Sequence, residues 1–122
     1  MNLNNNGSLL GRLVQNPIVY VNADGSKKIR FTVAASNNYK SRDGQHHAQF
    51  VPLEAFLPAG SRNSVYDYLT KGMLVSVSYE VRNNNWTDNS GTPHYDLVLA
   101  CDSIRIQESR SVTEARRAAA TA

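Results

Sequence analysis

The residue of this chain that is best suited to contact a ligand is its single tryptophan, Trp86. It lies in a polar stretch, residues 82–95, which is rich in asparagine, threonine and aspartate and separates two segments of alternating apolar residues. Such neighbours cannot bury an indole ring, so we expect Trp86 to be exposed. An exposed, flat ring indicates a contact surface for a flat partner.

A second set of candidate contacts lies in residues 49–57, where alternate residues of a strand share a face. The apolar face consists of Val51, Leu53, Ala55 and Leu57. The opposite face consists of Phe50, Pro52, Glu54 and Phe56. Two phenyl rings beside a carboxylate are either covered by a helix or a second subunit, or they form a platform on which bases stack.

Basic residues lie beside a further candidate ring, Tyr39. This tyrosine follows the predicted second strand and precedes Lys40 and Arg42, while Lys27 and Lys28 lie beside the preceding turn. Rings beside cations would combine base stacking with attraction for phosphates. A loop tyrosine also occurs without any binding role, so the sequence leaves both readings of Tyr39 open.

Residues that could bind a metal or support catalysis are few. The candidate ligands are His46, His47, His94 and Cys101. Adjacent histidines in one loop cannot easily both reach one tetrahedral ion, and Cys101 falls on the apolar face of a strand. The sequence contains neither a glycine-rich phosphate loop nor a recognisable grouping of serine, histidine and carboxylate. It therefore predicts no metal, no cofactor and no enzymatic activity.

Size and charge set the frame for these residues. A chain of 122 residues can bury one core but not two, and its net charge of +3 permits a polyanionic partner. The amino terminus lacks the basic start and apolar run of a signal peptide, and no segment is long enough to cross a membrane. We expect a cytoplasmic protein with one domain over residues 1–107, followed by a short flexible or helical tail over residues 108–122.

Apolar and polar residues alternate through most of the chain, which predicts strands over about residues 9–21, 29–35, 49–57, 73–82 and 95–106. Asn16-Pro17 interrupts the first strand, and a tight turn at residues 22–25 joins it to the second. A shift of phase predicts a bulge near Asp102-Ser103. Serine caps, apolar residues four apart and a terminal glycine predict a short helix over residues 61–72.

The order of these elements favours an all-β fold. Five strands with one short helix between strands three and four are the connectivity of the five-stranded oligonucleotide-binding (OB) barrel. A small sandwich with one helical crossover would give a similar string of elements, so the pattern alone leaves both architectures open.

Several short segments of the chain resemble the bacterial single-stranded DNA-binding proteins. They are Gly11-Arg-Leu, Asn16-Pro with the Asp24-Gly turn, Phe31-Thr-Val-Ala-Ala-Ser, Tyr68-Leu-Thr-Lys-Gly72 and, above all, Arg82-Asn-Asn-Asn-Trp-Thr-Asp-Asn-Ser-Gly91. Their order and spacing extend the resemblance over about residues 7–107. It implies an OB barrel, usually a homotetramer, that binds single-stranded DNA in replication, recombination and repair.

The resemblance also implies which residues contact the DNA. The stacking aromatics correspond to Tyr39, Phe50, Phe56 and Trp86. These are rings that strand parity and loop position already leave off the core. The candidate phosphate contacts beside them are Lys27, Lys28, Lys40, Arg42 and Arg82.

Two features depart from that family. Its members typically carry a long flexible extension with an acidic, phenylalanine-tipped end that recruits repair enzymes, whereas residues 108–122 contain no acidic cluster and no aromatic residue. We therefore do not expect recruitment through such a tail, unless the protein is a phage, plasmid or mobile-element version with other partners. Pro52 enters a strand where the family normally has no proline, which puts in doubt an edge-strand position and the subunit contact nearby. The alternative function is a protein-interaction module of the primosomal replication-restart type, which has the same fold.

Overall fold

The computed structural model of the protein describes residues 3–36, 42, 44, 47–61 and 64–121. Within these ranges the strands are β1 (Gly7–Leu13), β2 (Ile18–Val21), β3 (Lys27–Ser36), β4 (Ala48–Leu57), β5 (Leu74–Thr87) and β6 (Pro93–Ile106). A 3-10 turn at Val65–Tyr68 lies between β4 and β5, and the helix α1 (Arg110–Thr121) follows β6.

The strands form a closed ring of hydrogen bonds in the order β1, β5, β6, β4, β3 and back to β1, with β2 on the outer edge of β3. All pairings are antiparallel except the one between β4 and β6. The ring closes at Gly11, which lies opposite Ala35 on β3 and opposite Val75 on β5. A Cβ atom there would lie 2.2 Å from the backbone oxygen of Ala34, so the approach of the strands requires glycine.

This closure confirms the prediction of a β-barrel, because a sandwich would leave two separate sheets. The core fills the ring, and its largest fully buried side chains are Leu13, Ile29, Leu53, Val33, Val75 and Val77. Most of them follow the alternation that the sequence predicts: on β3, for example, Ile29, Phe31 and Val33 are buried between exposed or half-buried neighbours.

The first predicted strand is two strands, so the sheet contains six strands over the described residues where we expected five. β1 ends at Leu13 and β2 begins at Ile18, so the break falls on Asn16-Pro17, where the proline has no amide hydrogen to donate. The predicted turn joins β2 to β3, with Gly25 at a φ of 89°. The predicted bulge is also present: Ser78 pairs with Ser103 and Tyr79 with Cys101, which leaves Asp102 as the extra residue.

Pro52 occupies a strand with one open edge. β4 pairs with β3 along its whole length, and the pairing of β4 with β6 comprises the single pair Glu54–Ala100. Beyond that pair, at Pro52, the second edge of β4 has no ladder partner among the described residues. An open edge is where a strand tolerates a residue that cannot donate a backbone hydrogen bond.

The predicted helix over residues 61–72 is wrong. Between β4 and β5 the described chain forms only the four-residue 3-10 turn, which Ser64 caps by accepting a hydrogen bond from the amide of Tyr66. Leu69 is already extended and is buried in the core, and Gly72 has a positive φ without ending a helix. A short helix gains little in water, so burial of Leu69 at the end of the barrel determines the local conformation.

The polar stretch around Trp86 is also more regular than expected. β5 runs through to Thr87 and β6 begins at Pro93, so only residues 88–92 form a turn. The strands pair with each other from Arg82–Val98 to Thr87–Pro93, and we call residues 82–98 the arm. On the arm Tyr95 and Leu97 are 76% and 74% exposed, although their alternation predicts burial, because the arm extends beyond the core.

Helix α1 is fixed to the barrel by a buried carboxylate, Glu108, whose side chain is 4% exposed. Its Oε1 accepts a hydrogen bond of 2.7 Å from the amide of Leu74, and its Oε2 accepts one of 2.6 Å from Thr113. The Arg116 guanidinium pairs with both oxygens. Although burial acts to raise the pKa of Glu108, these hydrogen bonds and the charges of Arg116 and Arg12 hold it below its ordinary value.

The helices in the described part of the chain are all too short or too polar to span a membrane.

Candidate functional site

The outer face of β3 and β4 is where the predicted rings and cations meet. Residues opposite each other in an antiparallel pair point to the same face. The pairs on this face are Lys28–Phe56, Arg30–Glu54, Thr32–Pro52 and Ala34–Phe50. Phe50 and Phe56 are 66% and 63% exposed, so the structure places both rings off the core, as their parity predicts. No helix among the described residues covers them.

The two cations of this face are bound to one carboxylate oxygen. Oε1 of Glu54 lies 3.3 Å from Nζ of Lys28 and 3.4 Å from Nε of Arg30. Both cationic side chains are about half exposed, whereas the Glu54 side chain is mostly covered. The face therefore holds two positive charges, which the largely covered carboxylate of Glu54 partly neutralises.

A groove runs between this outer face and the arm. It comprises two adjoining cavities of about 680 and 500 Å³, which share Lys28, Glu54, Asn84 and Val98 in their walls. Phe56 and Arg82 line the smaller cavity, and Asp96 lines the larger. One continuous depression is thus bordered by the exposed ring of Phe56, by the cations Lys28, Arg30 and Arg82, and by the root of the arm.

Trp86 lies on the arm, two residues beyond Asn84 on the same side of β5. Its ring is 46% exposed and lies parallel to the imidazole of His94, with centroids 4.2 Å apart and planes inclined by 11°. The indole Nε1 donates a hydrogen bond of 2.8 Å to Oδ2 of Asp96. One indole face is therefore covered by His94 and the polar edge is bound, which leaves the second face for a partner.

The tip of the arm holds His94 in place through Asp88. Oδ2 of Asp88 lies 2.8 Å from Nε2 of His94, and Oδ1 accepts hydrogen bonds from the hydroxyl and amide of Ser90 and from the amide of Thr92. The hydrogen bond from Ser90, followed by those from His94 and Thr92, lowers the pKa of Asp88 to about 2. Asp88 is therefore a fixed anion at neutral pH.

The structure does not bring every predicted site residue to this groove. Tyr39 and Lys40 lie outside the described residues, and Arg42 is described only as exposed. Lys27 alternates with Lys28 along β3 and therefore points to the opposite face. Arg82 lines the groove and pairs with Glu80 on its own strand.

The DNA contacts predicted from the sequence do not include Arg30, His94 or Asp96, which the structure places at the site. The position of Arg30 could have been predicted from the sequence, because Arg30 alternates with the buried Ile29 and Phe31 and must share the outer face with Lys28. The positions of His94 and Asp96 could not, because their contacts with Trp86 depend on the register between β5 and β6.

Of the candidate metal ligands, His46 lies outside the described residues, and His47, His94 and Cys101 form no metal site within them. Groups of three or more histidine, cysteine or acidic residues that could hold an ion do not occur there. Cys101 packs against the core, and its sulfur lies 3.2 Å from the hydroxyl of Tyr66. Burial raises the pKa of the Cys101 thiol, so a reactive thiolate is disfavoured.

The chain is similar to proteins of one family. Residues 4–107 match the model of the single-strand binding protein family. A single-stranded DNA-binding protein of Caldanaerobacter subterraneus subsp. tengcongensis is 29% identical over 103 residues, which are 84% of this chain and 67% of that protein. One from Enterococcus faecalis is 29% identical over 112 residues, which are 92% of this chain and 58% of that protein. Single-stranded DNA-binding protein 1 of Clostridium acetobutylicum is 25% identical over 103 residues, which are 84% of this chain and 92% of that protein.

Proposed function

Because the chain belongs to the single-strand binding protein family, we propose that it binds single-stranded DNA through the groove and the free face of Trp86. The observation that carries this proposal is that Phe56, Lys28 and Arg82 line one groove together with Asn84, which lies two residues before Trp86 on the same side of the arm. Bases stack on exposed rings at about 1–3 kcal/mol per base, and cations attract phosphates.

Selectivity for single strands follows from the same contacts. A duplex keeps its base faces within the stack, so exposed rings such as Phe50, Phe56 and Trp86 can contact them only in an unpaired strand. Stacking on a ring does not read the edge of a base, so we propose binding without strong sequence preference. Such a protein coats and protects single strands in replication, recombination and repair without catalysing a reaction, and it acts in the cytoplasm.

The remaining predicted contacts belong to the same proposal. Tyr39, Lys40 and Arg42 lie in the segment between β3 and β4, which starts at the end of the outer face that carries Phe50. We propose that they extend the stacking and phosphate contacts beyond Phe50. Lys27 belongs to a different face of β3, and we propose for it only a contribution to the general positive charge.

A fluorescence titration tests the function. Trp86 is the only tryptophan, so its emission should fall when a thymidine oligomer binds and should change far less with duplex DNA of equal length. The logarithm of the affinity should fall with the logarithm of the salt concentration, by about 0.7 per phosphate contact. Absence of quenching at low salt would contradict the proposal and would favour a protein-docking role.

We further propose that the chain assembles as a homotetramer. The exposed Tyr95 alternates along β6 with His94 and Asp96, which contact Trp86, so it points to the other side of the arm. Leu97 has the same parity but also lines the larger cavity of the groove. A large exposed aromatic side chain on the far side of the arm supports contact with a second copy. Light scattering should report about four times the chain mass of 13.5 kDa.

A further inference from the structure

We propose that Glu54 is an internal competitor for the phosphates of a bound strand. In the free protein its carboxylate forms ion pairs with Lys28 and Arg30, and the phosphates of bound single-stranded DNA replace it in these pairs. This inference rests on the proposed function, because it concerns the cations of the same groove. It assigns Glu54 a role in setting the affinity of the interface.

The geometry places Glu54 where a phosphate would bind. Its Oε1 lies within 3.4 Å of both cationic side chains, and Glu54 lines both cavities of the groove. On β4 it lies two residues from Phe56 and two from Pro52, both of which are exposed on the same face. A strand whose base stacks on Phe56 therefore brings its phosphate oxygens to the cations that the carboxylate already binds.

The charges on the outer face of β3 and β4 determine the sign of the effect. Lys28 and Arg30 contribute two positive charges, and Glu54 removes one, so the outer face offers a net single charge to a phosphate. Both cationic side chains are about half exposed, so a polyanion can reach them from solvent. A bound phosphate must break the ion pairs with Glu54 and then remains close to an anion that repels it.

An ion pair of this kind also joins β3 to β4, because Arg30 and Glu54 are directly opposite each other. Cross-strand pairs of opposite charge contribute little to the stability of a sheet, and exposed pairs contribute least. Loss of the Glu54 charge should therefore leave the barrel folded. Its effect should appear in DNA binding and in the salt dependence of that binding.

The test compares wild-type protein with Glu54→Gln and Glu114→Gln in the same Trp86 fluorescence titration. Glu114 is a matched control, because it pairs with Arg110 on α1 and lines a different cavity, while its substitution changes the net charge equally. We expect Glu54→Gln to bind a thymidine oligomer roughly 2- to 5-fold more tightly than Glu114→Gln at low salt. Its salt dependence should become steeper by about 0.7, the contribution of one phosphate contact.

A double-mutant cycle with Lys28→Ala gives a second measurement. Lys28→Ala should weaken binding less in wild-type protein, where Glu54 already occupies the lysine, than in the Glu54→Gln protein. Equal affinities of Glu54→Gln and Glu114→Gln would overturn the inference. Weaker binding by Glu54→Gln would also overturn it, because Glu54 would then position the cations for DNA and would not compete for them. Absence of binding by the wild-type protein would instead contradict the proposed function itself.

Discussion

The imidazole of His94 lies parallel to the indole of Trp86, with the two ring centroids 4.2 Å apart. The pair is held from both ends, since Asp88 binds the imidazole and Asp96 binds the indole nitrogen. The ring that we propose for stacking is thus already fixed before a base arrives. A fixed ring loses less side-chain entropy on binding than a mobile one.

Removal of the His94 imidazole should make the indole ring of Trp86 more mobile. We expect His94→Ala to lower the fluorescence anisotropy of Trp86 in the free protein and to weaken DNA binding by roughly 2- to 10-fold, because the ring must then be immobilised on binding. Asn85→Ala is the control, since Asn85 alternates with Trp86 on the exposed arm. Unchanged anisotropy and affinity in His94→Ala would show that Asp96 alone fixes the indole.

Removal of the indole should weaken binding without unfolding the protein. We expect Trp86→Ala to cost about 1–3 kcal/mol of binding free energy and to change the free energy of unfolding by under about 1 kcal/mol. The binding is measured by the anisotropy of a labelled oligonucleotide, and the stability by denaturant unfolding followed by circular dichroism. A large loss of stability would mark the arm as part of the folding unit and not as a contact surface.

Neighbouring positions on β4 should separate binding from stability. Phe56→Ala removes an exposed ring of the groove and should weaken binding by about 1–3 kcal/mol with little effect on unfolding. Leu53→Ala removes a buried core side chain and should lower the free energy of unfolding by about 2–5 kcal/mol. Urea unfolding and DNA titration of both variants check this, and a stability loss in Phe56→Ala equal to that of Leu53→Ala would contradict the assignment of faces.

The buried carboxylate of Glu108 predicts how stability depends on pH. Its pKa is lower in the folded protein than in the unfolded chain, so its contribution is complete above the unfolded value of about 4.3 and is lost as pH falls through the folded value. Glu108→Gln should lower the free energy of unfolding at pH 7 by about 2–4 kcal/mol, because Arg116 loses its partner. Thermal unfolding of wild type and variant should differ most near neutral pH and converge in acid; a constant difference would refute this role.

The apolar side of the arm predicts how assembly can be disrupted. Tyr95→Glu places a charge at a side chain that is exposed in the single chain and lies away from the groove, so we expect the fold to persist and the proposed tetramer to dissociate. Light scattering measures the mass, and circular dichroism checks the fold. Thr87→Glu, at an exposed position near the tip, controls for added charge on the arm. A variant Tyr95→Glu that remains tetrameric would place the subunit contact elsewhere.

The sequence predicts the parts of the fold that depend on local alternation. The outer positions of Phe50 and Phe56 and the bulge at Asp102 follow from parity, because a strand places successive side chains on opposite faces. Local sequence could not show that residues 61–72 do not form a helix. The conformation of this segment depends on the burial of Leu69 in a core that distant strands form. Tertiary burial overrides weak helix propensity at such positions.

The features of the candidate site likewise fall into those that alternation within one strand predicts and those that depend on pairing between strands. The exposure of Trp86 follows from its polar neighbours. The position of Lys28 on the outer face follows from strand alternation, because the adjacent residue Ile29 points into the core. The Trp86–His94 stack and the shared pairing of Lys28 and Arg30 with Glu54 require the strand registers, which no single segment contains. The alternation alone does not give these relationships between segments.

Closure of the ring at Gly11 has a consequence for synthesis on the ribosome. The residues opposite Gly11 are Ala35 and Val75, so the strand made first must wait for a partner that is made much later. A nascent chain that has released β1 to β4 can form the hairpins among them, but it leaves one edge of β1 unpaired until β5 emerges. Until β5 emerges, this edge of β1 is therefore open to pairing with a neighbouring chain.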